Sequence, residues 1–123
     1  MSLASEYFKL HQDGAATVVR VTADVIRHPQ QAQEFSSDLA ALVERDGLTR
    51  IAVNLRHTHY LGSSAFAALF GLAKRLDAVG GQLALCDLQP EVLTGAKILG
   101  LGSFAPIHAT EKEALTALSG GNG

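Results

Sequence analysis

The stretch from Ser64 to Val79 is apolar nearly all the way round a helix, through Phe66, Ala67, Ala68, Leu69, Phe70, Leu72, Ala73 and Leu76. It turns polar only at Lys74, Arg75 and Asp77, and such a helix has to be well covered by its neighbours. The small residues Ala65, Ala68, Gly71 and Ala73 let it pack closely on a sheet, and Gly80-Gly81 ends it. The segment before it, Thr49-Arg50-Ile51-Ala52-Val53-Asn54-Leu55, is short and β-branched and reads as a strand between helices. Asn54 to Phe66 is therefore the end of a buried strand, a short connection and the start of a helix. Two hydroxyls, Ser63 and Ser64, stand at that start. The first backbone N–H groups there lack intrahelical partners and the helix dipole is positive, so this end suits an anion or a phosphorylated side chain.

The remaining elements follow from local signals. Glu6–Gln12 alternates in part, with Phe8 and Leu10 on one face, and Asp13-Gly14 then turns into Ala16–Thr22, which predicts a hairpin. Pro29 sits in the first turn of a helix carrying Phe35, Leu39, Leu42 and Val43 at helical spacing, and Asp46-Gly47 stops it. Gln82–Asp87 reads as a buried strand. Pro90 opens a helix to about Leu99, closed by Gly100. Phe104–His108 makes at most a short edge strand, because Pro106 cannot donate to a central ladder. Thr110 with Glu113 three residues on predicts an N-cap and a last amphipathic helix through Ala114, Leu115 and Leu118. The order is β-β-α-β-α-β-α-β-α, an α/β fold with a mixed β-sheet, an N-terminal hairpin and about four helices.

With 123 residues and 47% apolar side chains the chain is one domain over residues 1–123, with a flexible end from about Ser119. A formal charge of −2, with the basic residues scattered, argues against direct nucleic-acid binding. Cys86 is a single cysteine in an apolar run, which excludes an internal disulfide and suits a reducing compartment. Met1–Glu6 lacks a charged start and a long apolar segment, and no run approaches the roughly 20 apolar residues of a membrane span. We therefore expect a soluble, cytoplasmic protein.

Several chemistries compete for the serine pair and its surroundings. Ser63 reads either as an N-cap or near-cap hydroxyl without further role or as a modification site. Gly62-Ser63-Ser64-Ala65-Phe66 half-matches a nucleophile elbow with Ser64 as nucleophile, and Asp87 and His108 follow in the Ser, Asp, His order of α/β-hydrolases. The second glycine is absent, and so small a chain offers little for a substrate pocket, so no catalytic residues are expected. His57 and His59 form a His-x-His pair without a nearby third ligand, which favours surface imidazoles beside the serine loop over a metal site. His11, His28 and His108 are dispersed. Phe66 and Phe70, one turn apart, read as core. No Gly-x-x-x-x-Gly-Lys sequence occurs, and neither cofactor nor metal is expected.

From about Arg50 onward the chain resembles the STAS domain, the family of bacterial anti-sigma factor antagonists. The carrying features are Val53-Asn54-Leu55, Tyr60-Leu61-Gly62-Ser63-Ser64-Ala65-Phe66, the helix ending Gly80-Gly81, the strand Leu83-Ala84-Leu85-Cys86, the run Leu99-Gly100-Leu101 ahead of Phe104, and Glu111-Lys112-Glu113-Ala114-Leu115. In that family the strand-to-helix turn reads Asp-Ser-Ser-Gly, and the first serine is phosphorylated by a partner kinase that doubles as the anti-sigma factor. The resemblance thus implies phosphorylation at Ser63, with Ser64 as second choice, and a partner-binding face of Asp24, His57, His59, Gly62, Ser63, Ser64 and Ala65. Gly62 replaces the usual Asp, Ala65 the usual Gly, and Ile26 stands where an acidic residue is often found, with Asp24 nearby. The implied function is regulatory rather than enzymatic: partner switching with an anti-sigma factor that has serine kinase activity, in a monomer or weak homodimer. The alternative is a STAS ligand-binding or assembly subunit of a transporter or stress-signalling complex without phospho-switching.

Overall fold

The computed structural model describes residues 5–120. In chain order these form β1 (Phe8–Asp13), β2 (Ala16–Val21), β3 (Val25–Ile26), α1 (Pro29–Glu44), β4 (Arg50–Asn54), β5 (Tyr60–Leu61), α2 (Ser63–Ala78), β6 (Gln82–Cys86), α3 (Pro90–Ile98), β7 (Ile107–His108) and α4 (Glu111–Gly120). The main sheet has the order β1-β2-β4-β6-β7, with β1 antiparallel to β2 and every other neighbour parallel. The α/β fold with a mixed sheet, an N-terminal hairpin and four helices is the one expected from the sequence.

Strand residues alternate between two cores because successive side chains point to opposite faces. Val19, Val21, Ile51, Val53 and Leu85 join Phe35, Leu39, Leu69, Leu72 and Val92 in the larger core, so α1, α2 and α3 share one face. Val18, Ala52, Ala84 and Cys86 pack against Ala114 and Leu118 of α4 on the other. That second core is built mainly of small side chains. The half-turn offset also puts Asn54 on the α4 side, which proves decisive for the loop that follows β4.

The short ladder of β3 with β5 is absent from the sequence reading, since two residues carry no periodic signal. It runs parallel, Val25 opposite Tyr60 and Ile26 opposite Leu61. Three boundaries also move. α2 begins at Ser63 rather than Ser64, the strand expected over Phe104–His108 shrinks to its last two residues behind a 3₁₀ turn at Leu101–Ser103, and α4 continues through Ser119, whose hydroxyl donates to the Thr116 carbonyl at 3.2 Å. The expected flexible end is thus helical as far as Gly120, and residues 121–123, like Met1–Ala4, lie outside the described residues. Leu10 is exposed rather than sharing the buried face of Phe8. The α4 cap forms as the spacing predicts: the Glu113 N–H donates to Thr110 Oγ1 at 3.2 Å, and Glu113 Oε1 accepts from the Ala109 N–H at 3.2 Å.

Candidate functional site

The connection from β4 to α2 is tied down residue by residue. Asn54 Oδ1 accepts the Arg56 N–H at 2.9 Å, and Gln89 Nε2 donates to the Arg56 carbonyl. Thr58, fully buried, donates its hydroxyl to the Ala23 carbonyl at 2.8 Å. The Asp24 carbonyl accepts from the His59 and Tyr60 N–H groups, and the Ile26 carbonyl from the Gly62 N–H at 2.9 Å. The loop is therefore fixed against the segment that leads into α1, and the two helices start beside each other. Ser64 shares a shallow groove of about 470 Å³ with Pro29, Ala32, Gln33 and Ser36 of α1.

Ser63 is the first residue of α2 and Ser64 the second, and both are exposed. Gly62 occupies the cap position with no side-chain hydrogen bond, so Ser63, at the first helical position, is a near-cap hydroxyl rather than the N-cap itself. The first turn of α2 carries no acidic residue, nor does that of α1, whereas α3 has Glu91 and α4 has Glu111 and Glu113. The positive ends of the two helices beside Ser63 are thus unscreened by carboxylates of their own. Ala65, expected at the partner-binding face, is wholly buried and offers no side chain there. Gly62 has φ −72°, open to any residue, and a Cβ placed on it would stand 3.4 Å from the Arg27 carbonyl oxygen. An Asp in its place would fit.

Around this turn stand side chains the sequence reading named and some it missed. Asp24 Oδ1 lies 2.6 Å from His59 Nδ1, an exposed pair that ties together the two segments framing the turn. Arg27, unnamed by the sequence reading, lies with its guanidinium 5.2 Å from the centre of the Tyr60 ring. His57 lines a polar cleft of about 460 Å³ with Arg20, Asn54, Arg56, Asp87 and Glu111, whereas His59 pairs with Asp24. Arg20 grips Glu111 through two hydrogen bonds, at 2.8 and 3.2 Å, and Asn54 Nδ2 donates to Glu111 at 2.8 Å and Asp87 at 3.3 Å. The Arg20 hydrogen bond, with help from Asn54, holds the Glu111 carboxyl below its ordinary range. Burial, reinforced by Asp87, pushes the Cys86 thiol well above its usual range, so it stays a neutral core group. Asn54 and Glu111 are far apart in sequence, and no spacing rule links them. Tyr60, set between His59 and Leu61 in the sequence, gave no sign of Arg27 as its cationic neighbour.

The hydrolase reading finds no geometry. Ser64 lies in the groove with α1, Asp87 is taken by Asn54, and His108 Nε2 makes no hydrogen bond. Among the described residues there is no group of three or more His, Cys, Asp or Glu side chains placed to hold a metal, and no helix long and apolar enough to cross a membrane.

A mixed sheet with three helices on one face and one on the other, presenting two exposed serines where a buried strand turns into a buried helix, defines a small α/β domain with its serine pair on the surface. The chain belongs to the STAS domain family, whose model matches residues 7–114. It is similar to an anti-sigma F factor antagonist of Paenibacillus polymyxa, 28% identical over 101 residues that cover 82% of this chain and 85% of that protein. A candidate anti-sigma factor antagonist of Bordetella bronchiseptica, BtrV, is 34% identical over 86 residues, covering 70% of this chain and 72% of that one. The anti-sigma factor antagonist SpoIIAA in its unphosphorylated form superposes with a TM-score of 0.70 at 23% identity, over 92% of this chain and 98% of that one, which establishes the shared fold.

Proposed function

We propose that this protein is an anti-sigma factor antagonist switched by phosphorylation of Ser63, and that its partner is an anti-sigma factor with serine kinase activity. The observation that carries the reading is the placement of Ser63: exposed, at the start of a buried helix, on an end with no carboxylate of its own. Membership of the STAS family and similarity to proteins named as anti-sigma factor antagonists support it, and SpoIIAA has been solved in both unphosphorylated and phosphorylated forms. A phosphate adds about −1.5 to −2 charges at pH 7. That charge suits the helix end while it is hydrated, and must be desolvated at a cost of several kcal/mol once a partner covers it. Binding and release then follow the phosphorylation state.

The partner, recovered from the native host with wild-type protein as bait, should place phosphate on Ser63 by peptide mapping. Calorimetry should give tight binding for wild type and Ser63→Ala, and at least a tenfold loss for Ser63→Glu and the Ser63 phosphoform. Equal affinity for all four forms would refute the switch and leave an assembly subunit without phosphorylation as the reading. Phosphate confined to Ser64 would move the switch by one residue.

A further inference from the structure

We propose that Arg27 is the receiver of the phosphate on Ser63: on modification its guanidinium leaves the face of Tyr60 and pairs with the phosphate, so that the domain itself holds its modified serine. The inference rests on Ser63 being the modified residue, and it deepens that reading by naming the group that answers the modification.

The geometry that carries it is the parting of β3 and β5. The two strands run side by side through Ile26 and Leu61, and the Gly62 N–H still bonds the Ile26 carbonyl at 2.9 Å. The next residues, Arg27 and Gly62, remain in backbone contact, since a Cβ on Gly62 would lie 3.4 Å from the Arg27 oxygen and 3.8 Å from its Cα. One residue later comes Ser63, its Cα within about 9 Å of that of Arg27 by the 3.8 Å step between consecutive Cα atoms. An arginine and a phosphoserine span that distance between them.

Arg27 is also available. The described ion pairs engage Arg20, Arg45, His59 and Arg75, whereas the Arg27 guanidinium lies over the Tyr60 ring and is in none of them. Such a contact at an exposed site is weaker than a charge-assisted pair of a guanidinium with a dianion, so the exchange runs toward phosphate. Tyr60 keeps the guanidinium waiting beside the site. A guanidinium suits this role better than an ammonium because its planar fork takes two phosphate oxygens at once. The carboxylate of this rim, Asp24, would oppose a phosphate, but it is already engaged by His59 through Nδ1. His28 stands at the cap of α1 and His59 and Tyr60 on the same rim, while Arg56 and His57 line the cleft with Asp87 and Glu111.

The test needs no partner. Phosphoserine is placed at position 63 by genetic encoding, and its second ionisation is followed by phosphorus NMR against pH in wild type, Arg27→Gln and Lys74→Gln. An unpaired phosphoserine titrates near about pH 6. The wild-type midpoint should lie below that value, Arg27→Gln should raise it by about half a unit or more, and Lys74→Gln, remote on α2, should leave it in place. The Tyr60 ring resonances should shift on phosphorylation in wild type and stay put in Arg27→Gln. Both side chains are exposed, and amide spectra verify that each variant keeps the fold. Coincident titrations of wild type and Arg27→Gln would overturn the proposal. Since the phosphate is installed directly, that result would leave the partner switch standing, whereas a phosphoform that still binds the partner would refute the switch without moving the titration.

Discussion

Gly62→Asp restores at the cap of α2 the residue that the family pattern carries, and its effect can be worked from the structure. The cap has no side-chain hydrogen bond at present, and its φ of −72° and ψ of 169° are open to any residue. The new Cβ would meet the Arg27 and Ile26 carbonyl oxygens at 3.4 and 3.6 Å, ordinary contact distances. Replacing glycine in a compatible conformation stabilises by about 0.4–1 kcal/mol through the unfolded chain. A carboxylate cap adds a few tenths over glycine, and its charge at an unscreened helix start contributes about 0.3–1 kcal/mol at low salt. The nearby carbonyls offset part of this, so the expected net gain is about 1 kcal/mol, or roughly 4 °C in melting temperature for a domain of this size. Urea and thermal unfolding of wild type, Gly62→Ala and Gly62→Asp at pH 7 separate the contributions: Ala reports the chain entropy less the cost of a poor cap residue, and Asp adds cap and charge. The increment of Asp over Ala should shrink in 1 M salt, where the screening length falls to about 3 Å, and shrink again on acidification as the new carboxylate loses its charge. A Gly62→Asp protein less stable than Gly62→Ala at pH 7 and low salt would refute the cap geometry described for α2.

Two further predictions concern the supports of the loop. Asn54→Ala leaves the Arg56 N–H without its acceptor and removes two hydrogen bonds to carboxylates, and urea unfolding should show a loss of about 1.5–3 kcal/mol, with a smaller loss in a Glu111→Gln background because the two share a bond. Because Glu111 titrates below its unfolded-state value, its contribution is fully present above about pH 4.5 and is lost as pH falls through the folded value, so Glu111→Gln should cost stability at pH 7 and flatten the acid limb of the stability profile. Gly95→Ala would put a Cβ 2.9 Å from Phe66 Cζ between α3 and α2, and should destabilise by about 1–3 kcal/mol by chemical unfolding, whereas Phe66→Leu in the same protein should recover part of the loss.

Much of the fold was written in local patterns. The all-round apolar run of α2, the β-branched β4, the Asp13-Gly14 hairpin turn and the Thr110 cap each act within a few residues, and so the order of the main strands and helices follows from the sequence. The place of Ser63 at an exposed helix start follows too, because the apolar face of α2 demands burial and its end does not. The β3–β5 ladder, by contrast, exists only because β3 runs alongside the chain entering α2, and two residues hold no signal of their own. Asn54 between Asp87 and Glu111, Arg27 over Tyr60 and Asp24 against His59 are pairings across 33 or more residues, set by the sheet register and by which face each side chain takes. Ala65 shows the same limit: adjacent in sequence to two exposed serines, it is turned into the core by the 100° advance of the helix per residue. Sequence fixes what each segment is, since propensity and periodicity are local. Which charges meet around the serine is decided by tertiary packing, because Coulomb and hydrogen-bond energies depend on distances through space that the linear chain does not hold.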